Sequence, residues 1–568
     1  MKIVHLSSEG RPWASSGGLA EVTSALSAAQ HRNGDDVWLW LPAYRDAKAA
    51  VAAAGWRLRD TGVAGVVALP VGRWRWRALV AEPAAQTDGV DSSGRRVGFI
   101  DCPDFFDRDG LYHGADHRAF GDNALRFAVF VRAAMAAAPE LLGGAPDILH
   151  AHDWQTALAP YWLATERPSA WRGCRSVFTI HNLGYPGRFP VRAAYELGLP
   201  SHDFNPGGLE FFGDLMLMKA GIVWADAVTT VSPTYAKEIC TPAYAGGLDG
   251  LLRRHRGKLL GVLNGIDDTW NPATDPHLAA PYDATNLTGK ATCRSALLSE
   301  VGLQATATQP VLASISRFAW QKGLDLLAEV ATDVIAADAR LIVLGGGDPA
   351  LEHRFSRLAA RYPRHIAVHI GYDQGLSHRI EAGADAFVMP SRYEPCGLNQ
   401  LYSMAYGTPP IVHSTGGLAD TVVHASPDAL RRKVATGVVF DDADPQGLRW
   451  AIEEAVRLFR HQPAAWRAMQ QAGMARDPSW TVSAKRYREI YWGLHGRHPG
   501  PEAQAAQSAS PQSASPQSAS PQSASPNSPG RKSPDRKSPG RKSPGRKSAK
   551  ASLPGAGLAP PSAKPTSP

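Results

Sequence analysis

Short apolar runs recur through residues 1–495, each followed by a longer segment with helical periodicity, and this alternation constrains the fold more than any other feature of the chain. In the first half the runs are Ile3–Leu6, Val37–Leu41, Ile148–Leu149, Val177–Ile180 and Ala227–Val231. In the second they are Val311–Ile315, Leu341–Leu344, Ile366–Ile370, Ala386–Met389 and Ile411–Val412. Runs without polar alternation read as parallel strands buried on both faces. Between them lie segments such as 18–32, where Leu19, Val22 and Leu26 share a helical face. Strand–helix alternation on this scale predicts an α/β protein with parallel sheets. The pattern pauses near 264–310, and 568 residues exceed what one core accommodates. The reading is two doubly wound Rossmann-like lobes, 1–262 and 263–478. An amphipathic helix within 479–497 packs back on the body, and a low-complexity tail follows at 498–568.

The net charge of +8 belongs to that tail. Beyond residue 500 there are ten Lys/Arg and two Asp/Glu, which leaves 50 residues of each sign in the body, so charge gives no support for a nucleic-acid role there. The tail repeats Gln-Ser-Ala-Ser-Pro four times and then steps through Arg-Lys-Ser, a composition predicted to stay disordered and to attract polyanions weakly. No run of 18 uncharged apolar residues predicts a membrane span. The five cysteines are scattered without a CxxC pair, which fits a reducing, cytoplasmic setting. The segment Arg73-Trp74-Arg75-Trp76-Arg77 reads as a half-buried strand, or as a carbohydrate-stacking surface.

In doubly wound sheets ligands bind beyond the carboxyl ends of the strands, and the unusual residues gather there. After the first strand comes Ser15-Ser16-Gly17-Gly18, a loop that either brings backbone N–H groups to a phosphate or simply makes a tight turn. After the strand at 148 comes His150-Ala151-His152-Asp153-Trp154. A metal reading of the two histidines lacks a third ligand. His181-Asn182 follows the strand ending at Ile180. In the second half Arg317 and Lys322, at a strand–helix junction, suit a diphosphate. Glu394 precedes Pro395-Cys396-Gly397-Leu398, a loop with backbone N–H groups facing the crevice.

Taken together and in this order, the motifs "SSGGLAEV", "HAHDW", "TIHNLGY", "LNGIDDTWNP", "SRFAWQKGLDLL" and "SRYEPCGLNQLYSMAYGT" resemble those of bacterial glycogen synthase and plant starch synthase. These are ADP-glucose-dependent α-1,4-glucan synthases with the GT-B fold. The resemblance implies ADP-glucose and an α-1,4-glucan as substrates and calls for no cofactor or metal. It implies that Arg317 and Lys322 hold the diphosphate and that Glu394 contacts the transferred glucose, with backbone at Cys396, Gly397 and Leu398 binding hydroxyls. It further implies that His181 and Asn182 line the sugar side and that Asp153 is a second carboxylate. Ser15, Gly17, Gly18, Asn264 and Tyr372 fall on the donor side, and Tyr112 toward sugar and acceptor. One departure stands out. The family carries lysine where this chain has Ser15, and commonly aspartate where this chain has Glu21, a minor difference. Losing a phosphate contact in a desolvated cleft costs about 1.5–3 kcal/mol. That leaves two alternatives open: another donor such as UDP-glucose or another acceptor, and a glucan-binding protein without catalysis.

Overall fold

The computed structural model describes residues 1–83, 95–114 and 118–496, so the disorder and polyanion readings of the tail lie outside the described residues. The first half forms a sheet of nine strands, β1 (Lys2–Leu6), β2 (Asp36–Pro42), β3 (Trp56–Leu69), β4 (Gly72–Pro83), β5 (Arg96–Asp101), β6 (Ile148–His152), β7 (Arg175–Ile180), and, after a small sheet of β8 (Arg188–Phe189), β9 (Glu210–Phe211) and β10 (Asp214–Met216), β11 (Ala227–Thr230) and β12 (Leu259–Gly261). Its spatial order is β12-β11-β7-β6-β1-β2-β5-β4-β3. The second half forms a six-stranded sheet from β13 (Val311–Ile315), β14 (Arg340–Gly345), β15 (Ile366–Ile370), β16 (Ala386–Met389), β17 (Pro410–His413) and β18 (Val438–Phe440). Its order is β15-β14-β13-β16-β17-β18, parallel throughout.

Every strand read from an apolar run is present. The first sheet, however, is mixed, not purely parallel, because β4 runs antiparallel to both β3 and β5. The Arg-Trp alternation lies on β4, where it exposes the three arginines, buries Trp76 and half-buries Trp74. Short polar-out alternation marks an antiparallel edge, which the longer apolar runs elsewhere had obscured. Strand β6 runs three residues past its apolar pair, since His150 and His152 are buried through hydrogen bonding.

Both sheets belong to one compact unit. The helix Gly18–Arg32 buries Val22, Leu26 and Ala29 against Ile3, Ile148 and Val177. The last described helix, Trp480–Leu494, returns to this same cluster and contributes Trp480, Ala484, Tyr487, Ile490 and Tyr491. Among the described residues no helix is long and apolar enough to cross a membrane. All five cysteines are free thiols.

Candidate active site

The carboxyl ends of β13 and β16 bring Lys322 and Glu394 together. Lys322 Nζ lies 2.6 Å from Glu394 Oε2, which also accepts from Ser391 Oγ at 3.0 Å. Arg317, on the loop after β13 that also carries Lys322, is exposed and near enough to Tyr393, the neighbour of Glu394, to act on its phenol, and no carboxylate among the described residues pairs with it. An unneutralised guanidinium next to a lysine is an anion-binding arrangement. The loop after Glu394 is clamped from below. Gly416 has φ 44°, and a Cβ there would lie 2.0 Å from the Glu394 carbonyl oxygen, so only glycine lets the two loops touch. Above that contact, the backbone N–H groups of Cys396, Gly397 and Leu398 find no protein acceptor among the described residues. They open the helix Asn399–Ala405, whose N-terminal dipole adds to their pull on an oxygen ligand. The Cys396 thiol is pushed up to about 12 by burial, against a backbone N–H from Asn264, and is not a nucleophile at neutral pH.

The facing wall comes from β1, β6 and β7. Asp153 sits at a positive φ of 55° just past β6, and its carboxylate accepts the His181 backbone N–H at 2.7 Å. Behind it runs a line of histidines that the sequence reading did not anticipate. The Gln30 carbonyl oxygen accepts from His5 Nε2 at 2.7 Å; His5 Nδ1 then accepts from His152 Nε2 at 3.0 Å, and His152 Nδ1 from His181 Nε2 at 2.9 Å. An amide oxygen can only accept, so this single group orients each tautomer in turn and leaves His181 Nδ1 with its lone pair. Burial holds His5 at about 4 and His181 at about 3, so both stay neutral across the physiological range. His150 closes a branch, accepting from the Tyr491 hydroxyl at 2.7 Å and donating to Thr179 Oγ1 at 2.6 Å. His5 is the third histidine that a metal reading of His150 and His152 wanted, with ring nitrogens within 4.8 Å. Every ring nitrogen of the three is nonetheless engaged in a hydrogen bond.

Glu9 was also missed, although a carboxylate just past β1 is itself a signal. It is buried and accepts from the Ser16 backbone N–H at 2.6 Å, from Ser16 Oγ at 2.7 Å and from the Tyr112 hydroxyl at 2.6 Å. Glu9 thereby fixes the glycine loop, and Tyr112 serves it from the cleft wall. Gly17 has an extended φ of 178°, and a Cβ on it would meet nothing within 4 Å. Neither packing nor backbone conformation demands glycine there, and the space above the loop is open. Ser15 is exposed at its edge, and Gly18 faces Leu398 across the cleft, 3.9 Å from where its Cβ would be. Asn182 Oδ1 accepts from the Gly184 backbone N–H at 2.9 Å, and Gly184 in turn faces the Tyr393 hydroxyl. Tyr372 stands 68% exposed beyond β15.

Asn264 meets this site through its backbone N–H on the Cys396 thiol. It lines a cavity of about 140 Å³ at the crossover between the two halves, with Asp420, Arg476 and Ser483. The halves are tied there and along the cleft. The Tyr402 hydroxyl donates to Glu21, Thr234 donates to Asp420 through N–H at 2.8 Å and Oγ1 at 2.6 Å, and the Gly416 N–H donates to Glu238 at 3.0 Å.

Burial raises the Asp153 carboxyl to about 7, with the His181 and Asn182 N–H groups opposing. A carboxyl held above its unfolded value of 3.8 favours the protonated form, so its contribution to stability is full below about pH 4 and is lost as pH rises toward 7. Asp153→Asn, neutral at all pH and still able to accept the His181 N–H, is therefore more stable than the parent at pH 8 by about 2–4 kcal/mol and equal to it at pH 3.5. Denaturant titration at the two pH values checks this, and an equal difference at both would show that Asp153 is ionised throughout.

The family described as starch synthase catalytic domain matches residues 2–254, and glycosyl transferases group 1 matches residues 301–466. The glycogen synthase of Dechloromonas aromatica (strain RCB) is 46% identical over 495 residues, covering 86% of this chain and 98% of the relative. The glycogen synthase of Thioalkalivibrio sulfidiphilus (strain HL-EbGR7) is 44% identical over 499 residues, covering 86% and 99%. Among solved structures, the catalytic domain of starch synthase IV from Arabidopsis thaliana bound to ADP and acarbose superposes with a TM-score of 0.77 at 32% identity, covering 87% of this chain and 99% of that one. Sucrose-phosphate synthase from Thermosynechococcus elongatus shares the fold at a TM-score of 0.53 and 19% identity, covering 87% and 99%. With both sheets matched and full-length relatives aligned across them, this chain belongs to the glycogen synthase and starch synthase family of GT-B glycosyltransferases.

Proposed function

We propose that the cleft transfers glucose from ADP-glucose to the non-reducing end of an α-1,4-glucan with retention of configuration. One observation carries the reading: the Lys322–Glu394 pair, with unpaired Arg317 on the same loop as Lys322, adjoins a loop of unsatisfied backbone N–H groups. Arg317 and Lys322 receive the diphosphate as it gains charge, and Glu394 with the N–H groups of Cys396, Gly397 and Leu398 holds the sugar hydroxyls. His181 and Asn182 bound the sugar from the other lobe. Tyr372 and the Ser15–Gly18 loop lie toward the nucleotide. Asp153 is spent on the backbone N–H of His181 and is raised toward neutrality, a poor nucleophile for double displacement. That favours a front-face route. The anomeric carbon–phosphate oxygen bond breaks while the acceptor oxygen bonds on the same face, and the acceptor's proton passes to the departing phosphate. The protein contributes positioning and charge stabilisation. We read the lobes as 1–262 and 263–478, with Asn264 at their hinge and the helix within 479–497 packed back on the first.

The ADP and acarbose bound to the starch synthase IV catalytic domain support a nucleoside diphosphate and an α-glucan as the two ligand classes. The test is incorporation of labelled glucose into glycogen from ADP-glucose and from UDP-glucose, with the full chain and with a chain ended at 498. ADP-glucose is expected to give the higher kcat/KM, equally in both forms within about two-fold, because every cleft residue precedes the tail. Preference for UDP-glucose would reassign the donor, and incorporation from neither would leave a glucan-binding protein. Polyanion attraction by the tail is read in the same pair, as retention on a heparin column that the shortened chain loses.

A further inference from the structure

The loop between β1 and the helix Gly18–Arg32 carries a cation at a position the motif does not include. Arg11 lies four residues ahead of Ser15 on that loop. Its backbone is fixed, because its carbonyl oxygen accepts from Ser24 Oγ at 2.9 Å, one turn into the helix. Its side chain is not buried with it. The guanidinium is 37% exposed and faces the opposite lobe, near enough for the Tyr372 hydroxyl to act on it electrostatically. Its nearest carboxylate, Glu21, stands 3.8 Å away and is already engaged by the Tyr402 hydroxyl. A contact of 3.8 Å is an ion pair without a hydrogen bond, so most of the five guanidinium donors remain uncommitted. Arg11 thus stands at the mouth of the cleft on the nucleotide side, beside the exposed ring of Tyr372 and on the loop whose glycines leave open space above them.

We propose that Arg11 is the donor-binding cation of the N-terminal lobe, holding the diphosphate of the nucleotide sugar in the role that Ser15 cannot fill. The proposal rests on the reading of this cleft as the donor site. A guanidinium suits the task, since its planar fork meets two phosphate oxygens at once where an ammonium meets them as a point charge. Because it faces the tyrosine of the other lobe, Arg11 also links donor occupancy to the approach of the lobes. Its 3.8 Å ion pair with Glu21 keeps it extended for that exchange.

The experiment uses the full chain and separates binding from turnover. Arg11→Ala is expected to raise KM for ADP-glucose ten- to one-hundred-fold and to weaken ADP binding, measured by calorimetry, by the same factor. KM for glycogen and kcat stay within about three-fold. Arg11→Ala with Ser15→Lys is expected to recover donor KM to within a few-fold of the parent, because a lysine at the exposed position 15 returns a cation to the same loop. Ser15→Lys alone gains little. Unchanged donor KM and ADP affinity in Arg11→Ala would overturn the proposal, as would a loss that Ser15→Lys does not repair, since a strut between lobes gains nothing from a charge at position 15. Lys322→Ala, run in the same ADP titration, separates the levels. If ADP affinity falls with Lys322→Ala but not with Arg11→Ala, the cleft reading stands and Arg11 is excluded; if neither variant changes it, the cleft reading itself fails.

Discussion

Lys322→Ala lowers kcat/KM by roughly two to four decades, with most of the loss in kcat. Two separate effects add. The leaving diphosphate loses a cation at the moment its charge grows, in a site where water does not replace it. In addition Glu394, 5% exposed, is left with the Ser391 hydroxyl as its side-chain partner among the described residues, and removing one partner of a buried ion pair is costly. Arg317→Ala produces the first effect without the second, because no described carboxylate depends on Arg317, so it lowers kcat/KM by a similar factor while leaving the melting temperature unchanged. Steady-state kinetics on both variants alongside thermal melts make the comparison. Rates within ten-fold of the parent for both would place the diphosphate elsewhere.

Glu394→Gln is expected to reduce kcat by about two to three decades while the protein folds normally. The amide keeps the side chain's shape and can still accept from Ser391 Oγ, so the loop above Gly416 holds its course. What changes is charge. The oxygen that accepts from Lys322 at 2.6 Å becomes a weaker partner, and the carboxylate that would strengthen a sugar hydroxyl's hydrogen bond in the transition state is gone. A circular dichroism spectrum like the parent's with kcat reduced is the expected pair of readings. A near-normal kcat would show that the sugar is held by the Cys396–Leu398 backbone alone.

The architecture was legible because parallel strands buried on both faces leave a plain mark in the sequence. Val311–Ile315, Ile366–Ile370 and Ala386–Met389 appear in the structure with the bounds their apolar runs implied. The antiparallel β3–β4–β5 edge was less legible, since β3 mostly alternates exposed with half-buried residues over 14 positions and buries only Val63 and Val67. Site residues carried by loops with two or more unusual neighbours, such as Arg317 with Lys322 or Glu394 before Cys396-Gly397, could be picked out by spacing. His5 and Gln30 could not. Each is a single polar residue within an otherwise ordinary strand or helix, and their partnership spans 25 positions of sequence but one hydrogen bond in space. Arg11 was passed over for a different reason: attention to Ser15 marked what the loop lacks, while the guanidinium that faces the opposite lobe lies outside the motif.

The return of the helix Trp480–Leu494 to the first lobe has a temporal side. The Tyr491 hydroxyl accepts from Gln30 at 3.0 Å and donates to His150, so the histidine line of the first lobe is completed by a residue made long after the strands that carry it. Trp480, Tyr487 and Tyr491 also fill the apolar floor beneath Ile3 and Val22. A ribosome releasing this chain emits β1 first and its covering helix after nearly five hundred residues, at about 5–20 residues per second. For that interval the nascent first lobe exposes an apolar seat and an unfinished polar line. Maturation of the catalytic wall thus waits on synthesis of this helix and not only of the first lobe's own strands, and a message truncated ahead of codon 480 yields a sticky product that chaperones must hold.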